Sequence, residues 1–493
     1  MKLAEIPGSS LAFSEYQVQH LQTDARLDVQ PQTLFIAMKG VRYNSHQDVQ
    51  RLLEENPSLL ACGEEMLSHS RYFQVQDSRS FYAWGESLLH GVPSKKMQMY
   101  GITGTSGKTT TAWILEHLLK SSGRSMGLIG TLLIRDQQFA LSSEGFTSPP
   151  ADKLQSVLER FYQDGTTDVV MEVSSHALSQ RRVEGTLFDV MGFLNLSEEH
   201  LDFHKDMEEY FEAKKRLFFE HAQAARLQGK QPVAVVNVDS VWGTRLADEL
   251  VAQGETRVER VGMSLKEGES FVVRVNTQTE EGVTFQMGGK TYVSPLLGTF
   301  NIQNATLALA MATIAGERPS DLAKYLRTLS SVPGRLERVV GTEKSPTVWV
   351  DYAHKPEALE KVLSLLREEQ KRTGKNGALI CVVGCGGDRD RLKRPKMARI
   401  AEALADHVYL TSDNPRSENP VQILNEMQSG LVFPDKAHLI SDREEAIRSA
   451  ICSAHSTDWI LIAGKGHETT QEIQGHKYPF DDREVARRHL FGA

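Results

Sequence analysis

Several things are missing from this chain. Only four cysteines occur in 493 residues, Cys62, Cys381, Cys385 and Cys452. Cys381 and Cys385 lie in a strand-to-glycine turn with no partner pair at zinc-site spacing, so buried, reduced thiols of a cytoplasmic protein are expected. No apolar run approaches the roughly 20 residues of a membrane span. The first residues, MKLAEIPGSSLAFSEYQVQH, contain no apolar core of signal-peptide length, and no targeting segment is expected. There is no basic excess, the net charge being −8, so no global field attracts nucleic acid. Internal repeats and low-complexity tracts are absent too. At about 100–200 residues per domain, two to four domains are expected.

What is present is alternation. After Gly91, Pro93 and Ser94, which read as a linker, short apolar runs alternate with helix-length segments. Residues 97–103 read as a strand. Residues 109–120 carry Ala112, Ile114, Leu115, Leu118 and Leu119 at helical spacing. TDVVMEVSSH, DVMGFLNLS and QPVAVVNVDS are further strands, and the pattern predicts a mostly parallel sheet covered by helices. Residues 257–297 alternate around glycine turns and read as a small antiparallel sheet. Beyond Ser331 and Gly334 the alternation restarts with PTVWVDYAH, GALICVVGCGG, DHVYLTSDNP and DWILIAGKGH. Each is an apolar run with a polar or glycine-rich end, where doubly wound sheets bind ligands. The predicted fold is α/β with three domains: residues 1–95, a central P-loop-type domain over 96–332, and a C-terminal Rossmann-like domain over 333–493.

YGITGTSGKTTT, between strand and helix, has the chemistry of a phosphate loop with unusual spacing. The common loop leaves four residues between its first glycine and the Gly-Lys pair. Here Gly104 leaves two and Gly101 leaves five. Gly104 and Gly107 let backbone N–H groups turn toward phosphate, Lys108 adds a point charge, and the Thr109 hydroxyl suits Mg²⁺. Glu172, at a strand tip, is a second Mg²⁺ candidate. His200 and His204 stand four apart, but H-E-x-x-H is missing and no third zinc ligand is clear. Lys214 and Lys215 follow on a helix and, as bare sequence, read as solvated charges. Arg335, at the second boundary, is placed to reach a transferring phosphate. At the four C-terminal strand ends, Arg389 and Arg416 suit a carboxylate and Asp413 and Glu468 suit an ammonium. Together they point to a zwitterionic, amino-acid-like ligand.

GTSGKTTT, MEVSSH, HLDFH with the following Tyr and Ala-Lys, GTFNIQNA, PGRLE, DYAHKP, GCGGDRD, DNPR and GKGHE occur in the order seen in the Mur ligases. The resemblance covers roughly residues 97–490 strongly and the first 95 weakly. The short loop is similar to that family's G-T-N-G-K-T, with Ser106 in place of Asn. The resemblance implies an ATP-dependent amide ligase of peptidoglycan precursor synthesis, acting in the cytoplasm as a monomer on small molecules. It would phosphorylate the D-Glu carboxylate of UDP-MurNAc-L-Ala-D-Glu and couple the acyl phosphate to an amine, with Mg²⁺ as cofactor, in two sites.

Carried over by residue, Gly104, Thr105, Gly107, Lys108, Thr109 and Thr110 resemble the ATP loop. Asn301, Asn304, Arg335, Asp351 and His354 resemble nucleotide-side residues, with Lys108, Lys214 and Arg335 catalytic. Thr109, Glu172, His200 and a carbamylated Lys214 resemble the metal ligands. Asp24, Arg26, His46, Thr147, Ser148, Ser174, Gln180 and Arg182 match contacts to the nucleotide-sugar dipeptide. Arg389, Asp413, Asn414, Pro415, Arg416, Gly464 and Glu468 match the amino-acid pocket. DNPR resembles the meso-diaminopimelate type, whose extra carboxylate Arg416 would pair. The departures are N-terminal: Asp24-Ala25-Arg26 replaces the usual D-S-R and loses its hydroxyl, and Asn44-Ser45-His46 replaces D-G-H. The alternatives are the same chemistry with L-lysine, a non-catalytic nucleotide-binding homologue, or a plain P-loop ATPase or kinase. The last leaves the zwitterion-like pocket unexplained. Domain closure is expected, with the binding faces on separate domains.

Overall fold

The computed structural model describes residues 1–40, 43–141, 143, 145–200, 203–279, 282–342, 344–374 and 377–491. Its contacts divide the chain into two units. One comprises Met1–Arg274, Phe285–Tyr292 and Phe300–Arg327, and the other Val275–Thr284, Val293–Thr299 and Thr328–Ala493.

In the first unit, the N-terminal block is a four-stranded parallel sheet in the order His20–Gln22, Thr33–Ile36, Leu60–Gly63, Tyr72–Gln74. Leu34, Phe35 and Ile36 are fully buried, as a strand covered on both faces requires. Helix Ser78–Leu89 starts where Asp77 accepts from the N–H groups of Arg79 and Ser80. The Gly91–Ser94 stretch is pinned. Ser94 is wholly buried, its hydroxyl accepts from Leu187 N at 3.1 Å, and its carbonyl accepts from Lys230 Nζ at 2.7 Å.

The large sheet has at its centre the parallel strands Val233–Asn237, Val190–Phe193, Gln98–Thr103, Asp168–Glu172 and Met126–Ile129, in that order. Helix Lys108–Ser121 covers it with Ile114, Leu115, Leu118 and Leu119, all fully buried. Residues 257–294 do not stand apart as a separate sheet. Arg257–Gly262 pairs in parallel with the open edge of Val233–Asn237, and Phe271–Thr279 joins it in parallel. Gly282–Met287 and Lys290–Ser294 complete the edge. Gly288 and Gly289, at φ 55° and 75°, make the tight turn between those last two.

The second unit has a six-stranded sheet in the order Glu337–Val339, Thr347–Asp351, Trp459–Ala463, Leu379–Cys385, His407–Ser412, Ala437–Leu439. The first strand is antiparallel and the rest are parallel. Apolar clusters lie on its two faces, the mark of a doubly wound sheet. The last parallel strand in sequence, Trp459–Ala463, inserts between the first two, and this switch in order opens a crevice beyond the strand ends. The four apolar runs expected there are all strands. Among the described residues no helix is long and apolar enough to cross a membrane. Cys62, Cys381 and Cys385 are buried as expected, but Cys452 is exposed, because it lies near the end of helix Arg443–Ser453 on its outward side.

Candidate active site

The phosphate loop leaves the central strand Gln98–Thr103 and enters the helix that begins at Lys108. Gly104 and Gly107 are required. At Gly107, φ is 88°, and a Cβ there would stand 2.2 Å from Asn304 Oδ1. At Gly104 a Cβ would stand 2.8 Å from Leu194 Cβ. Lys108 Nζ donates to Gly104 O at 2.8 Å and Thr105 O at 3.0 Å, folding back over the loop. Asn195, 89 residues from Ser106, clamps the loop. Its Oδ1 accepts from Ser106 N at 3.0 Å and its Nδ2 donates to Ser106 O at 3.1 Å. Asn304 in turn donates to Asn301 Oδ1 at 3.1 Å, so both asparagines of GTFNIQNA belong to this loop's surroundings. Thr110 is buried in the first helical turn.

Glu172 is 2% exposed, not a surface carboxylate. Its Oε2 accepts from Thr109 Oγ1 at 2.9 Å and Thr131 Oγ1 at 3.1 Å, while Oε1 accepts from Thr131 N at 2.8 Å. Thr131, which the sequence did not single out, also has its Oγ1 within hydrogen-bond distance of Thr147 Oγ1, at 3.0 Å, linking metal-side and dipeptide-side residues. His200 has φ 59°, a strained conformation for a residue other than glycine. Its ring lies 4.9 Å from that of His176. Leu201 and Asp202 lie outside the described residues. Among the described residues no three or more His, Cys, Asp and Glu side chains converge as a metal site. Thr109 and Glu172 instead offer hydroxyl and carboxylate oxygens beside a phosphate loop. That donor set fits Mg²⁺, which takes its other ligands from water and phosphate.

Lys214 corrects the bare-sequence reading of a solvated charge. It is 1% exposed, lies over the Tyr210 ring, and donates to Gly104 O at 3.0 Å. Helix Met207–Arg216 turns it inward, because Tyr210 and Phe211 bury the same side of the helix. Burial, then the neighbouring Lys108 charge, pushes its ammonium well below the ordinary lysine range. That shift favours the neutral amine, the form able to react with CO₂. Lys215 stays at the surface, paired with Glu212 and Glu249.

Ser148, Ser174, Gln180 and Arg182 come together. Ser148 Oγ donates to Glu172 O at 2.9 Å and accepts from Ser174 N at 3.0 Å, and Ser174 caps helix Ser175–Ser179. Arg182 donates to Gln180 Oε1 at 2.6 Å and to Ser148 O at 3.2 Å. In the N-terminal block, Arg26 pairs with Asp24 at 2.6 Å and holds its carboxyl down to about 2. The His46 ring is committed at both nitrogens, Nδ1 to Asn44 Oδ1 at 2.7 Å and Nε2 to Glu64 N at 3.0 Å. It ties two loops together. Ala25, in place of serine, packs its methyl group against the Phe35, Val49 and Leu53 cluster.

In the second unit, PGRLE and GKGHE press together. Gly334 has φ 62°, and a Cβ there would lie 2.0 Å from His467 N. The Arg335 guanidinium stacks 4.8 Å over Tyr352. Asp351 accepts from Leu336 N at 2.6 Å, and burial raises its carboxyl. His354 contacts Tyr352 O at 2.9 Å, and burial lowers its imidazole. Asp413, Asn414, Pro415 and Arg416 leave the His407–Ser412 strand. Gly464, at φ 118°, lets Asp413 Oδ2 approach where a Cβ would be 2.7 Å away. Arg416 donates to Gly387 O at 2.7 Å and lies 3.4 Å from Glu472. Asn414 donates to Glu468 Oε2 at 2.8 Å. Arg389 is exposed at the rim, beside the Gly386 backbone. All seven expected pocket residues therefore lie at one end of neighbouring parallel strands. Beneath them, fully buried Arg443 and Asp482 form an ion pair that no sequence spacing announces.

The Mur ligase middle domain matches residues 102–312, and the Mur ligase glutamate ligase domain matches residues 334–466. A UDP-N-acetylmuramoyl-L-alanyl-D-glutamate–2,6-diaminopimelate ligase of Synechococcus sp. (strain WH7803) is 41% identical over 93% of this chain and 92% of its own. The protein of that name in Aquifex aeolicus (strain VF5) is 38% identical over 93% and 91%. A solved structure of a ligase of the same name superposes with a TM-score of 0.71 at 31% identity, covering 99% of this chain and 98% of that one. A folylpolyglutamate synthase from Thermotoga maritima shares the fold at a TM-score of 0.60 and 17% identity. The phosphate loop, the buried carboxylate and lysine, and the strand-end pocket thus sit on a scaffold matched along nearly its whole length: the chain belongs to the Mur ligase family.

Proposed function

We propose that this protein is an ATP-dependent amide ligase joining meso-diaminopimelate to the D-Glu residue of UDP-MurNAc-L-Ala-D-Glu, a step of peptidoglycan precursor synthesis. The observation that carries the reading is the C-terminal pocket, where Arg389 and Arg416 stand with Asp413 and Glu468 at neighbouring strand ends. Both signs of charge in one place match a zwitterion with a further carboxylate. The names of the relatives support the same amino acid.

The γ-phosphoryl group of ATP passes to a carboxylate oxygen of D-Glu, giving an acyl phosphate and ADP. The diaminopimelate amine then attacks the acyl carbon, the carbon–oxygen bond to phosphate breaks, and the amine loses a proton. Gly104, Thr105, Gly107, Lys108, Thr109 and Thr110 hold the nucleotide phosphates, with Asn301, Asn304, Arg335, Asp351 and His354 on the nucleotide side. Lys108 and Arg335 offset the repulsion between two anions. Thr109, Glu172, His200 and the carbamate of Lys214 would hold Mg²⁺, which when bound supplies positive charge against the phosphates. Buried Lys214, its ammonium disfavoured by burial and by Lys108, is suited to form that carbamate. Asp24, Arg26, His46, Thr147, Ser148, Ser174, Gln180 and Arg182 orient the nucleotide-sugar dipeptide. Residues 1–95, 96–332 and 333–493 divide nucleotide-sugar, ATP and amino-acid binding among them. The protein works as a monomer in the cytoplasm, where ATP is available. L-Lysine is disfavoured, because it would leave Arg416 without its carboxylate.

The test is isotopic. With ¹⁸O in the D-Glu carboxylates, the acyl-phosphate route places one ¹⁸O atom in each phosphate released. Phosphate free of ¹⁸O would overturn it.

A further inference from the structure

Lys465 lies inside the GKGHE turn with its side chain wholly out of solvent. An ammonium has three N–H groups, and each is used. Nζ donates to Asn414 Oδ1 at 3.0 Å, Glu468 Oε2 at 2.9 Å and Thr470 O at 2.7 Å. Asn414 Oδ1 accepts a second hydrogen bond from Glu472 N at 3.0 Å. The amide oxygen is thereby saturated. Asn414 Nδ2 faces the other way, giving one hydrogen to Glu468 Oε2 at 2.8 Å and keeping one.

The opposite amide orientation is closed off. It would point Nδ2 at the Lys465 ammonium and the Glu472 N–H, donor against donor, and set Oδ1 against Glu468 Oε2, acceptor against acceptor. Neutralising Glu468 alone would not require the contact to Asn414 Oδ1, and that contact joins the Glu472 N–H in fixing which way the amide faces. Glu468 Oε2 is doubly engaged, while among the described residues no protein donor reaches Oε1. The Glu468 side chain is 30% exposed, so Oε1 is open to a ligand.

We infer that Lys465 is a positioning residue that sets the polarity of the amino-acid pocket. It locks Asn414 as an N–H donor toward a substrate carboxylate and leaves Glu468 Oε1 as the acceptor for a substrate ammonium. The inference rests on the amino-acid-ligase reading above and names a residue that acts on substrate only through Asn414 and Glu468.

The experiment is steady-state kinetics on the full-length protein with meso-diaminopimelate, ATP and UDP-MurNAc-L-Ala-D-Glu varied in turn. Lys465→Met raises KM for diaminopimelate about tenfold to a hundredfold, the range for one hydrogen bond to a charged group. KM for ATP stays within about twofold. The effect is non-additive with Asn414→Ala: once the amide is gone, removing Lys465 adds little to KM, as expected for residues that act as one. Asn414→Asp gives a second reading, since it keeps Lys465 paired while an anionic carboxylate oxygen takes the place of the donor that faces Glu468 Oε2. It too raises KM for diaminopimelate about tenfold or more. An unchanged KM in Lys465→Met, full additivity with Asn414→Ala, or an Asn414→Asp KM within about twofold of wild type would overturn the inference. Failure of the wild-type protein to use diaminopimelate would instead strike at the ligase reading itself.

Discussion

Removing Arg443 tests whether the pocket depends on its foundation. Arg443 and Asp482 are both fully buried. Nε and Nη2 of Arg443 each lie 2.7 Å from an Asp482 oxygen. Nη1 donates to Ser412 O at 3.2 Å, and Nη2 donates to Ala463 O at 3.0 Å. Those carbonyls directly precede Asp413 and Gly464, so one guanidinium fixes the ends of two pocket strands. Arg443→Met leaves a buried carboxylate with no counter-charge, which costs about 3–5 kcal/mol. For a unit of this size that corresponds to a fall of roughly 6–20 °C in Tm. Arg443→Met/Asp482→Leu replaces both charges with apolar groups and recovers most of the stability. It does not restore the donors to Ser412 O and Ala463 O, so diaminopimelate KM stays high. Thermal unfolding followed by tryptophan fluorescence, with Trp349 and Trp459 packed 6.1 Å apart in this sheet, reads the first part, and kinetics reads the second. A single mutant that melts within about 2 °C of wild type, or a double mutant no more stable than the single, would refute the reasoning.

Gly107→Ala forces a side chain into a left-handed conformation and against Asn304 Oδ1, so ATP affinity measured by calorimetry falls at least about tenfold while the fold survives. Lys214→Ala loses most activity and regains part of it with a short-chain carboxylate in the buffer; wild-type rates in the alanine variant would remove the carbamate. The same lysine has a pH signature. Its folded-state pKa lies below its unfolded one, so between the two values the unfolded chain binds the extra proton, and the contribution of Lys214 to stability rises with pH. In CO₂-free buffer, Lys214→Met therefore raises Tm relative to wild type more at pH 7 than at pH 9.5, and an equal difference at both would contradict the burial argument. Arg416→Lys raises KM for diaminopimelate far more than KM for ATP, and equal losses would signal misfolding.

The parts legible in the sequence were those in which local pattern and chemistry coincide. Residues 97–103 and 109–120 lie within one residue of the observed strand and helix, because apolar periodicity and the glycine loop mark the same boundary. The four C-terminal strand ends were legible for the same reason. What stayed hidden depends on partners distant in sequence. Asn195 clamps Ser106 across 89 residues, Thr131 joins Glu172 to Thr147, and Arg443 finds Asp482 across 39. Lys214 and Lys215 are identical in composition, and only the direction of their helix separates the buried amine from the surface ion pair. The strand over 257–262 alternates like a free antiparallel strand, yet the open edge of the central sheet takes it in parallel register.

The most direct measurement is phosphate release from ATP with UDP-MurNAc-L-Ala-D-Glu present, run in parallel with meso-diaminopimelate, with L-lysine and with no amino acid. The account predicts release only with diaminopimelate, together with a product heavier by that one residue. Equal release with lysine would contradict the assignment of Arg416. No release in any tube, with the nucleotide sugar failing to bind, would contradict the ligase reading and turn attention to Ala25 and its neighbours.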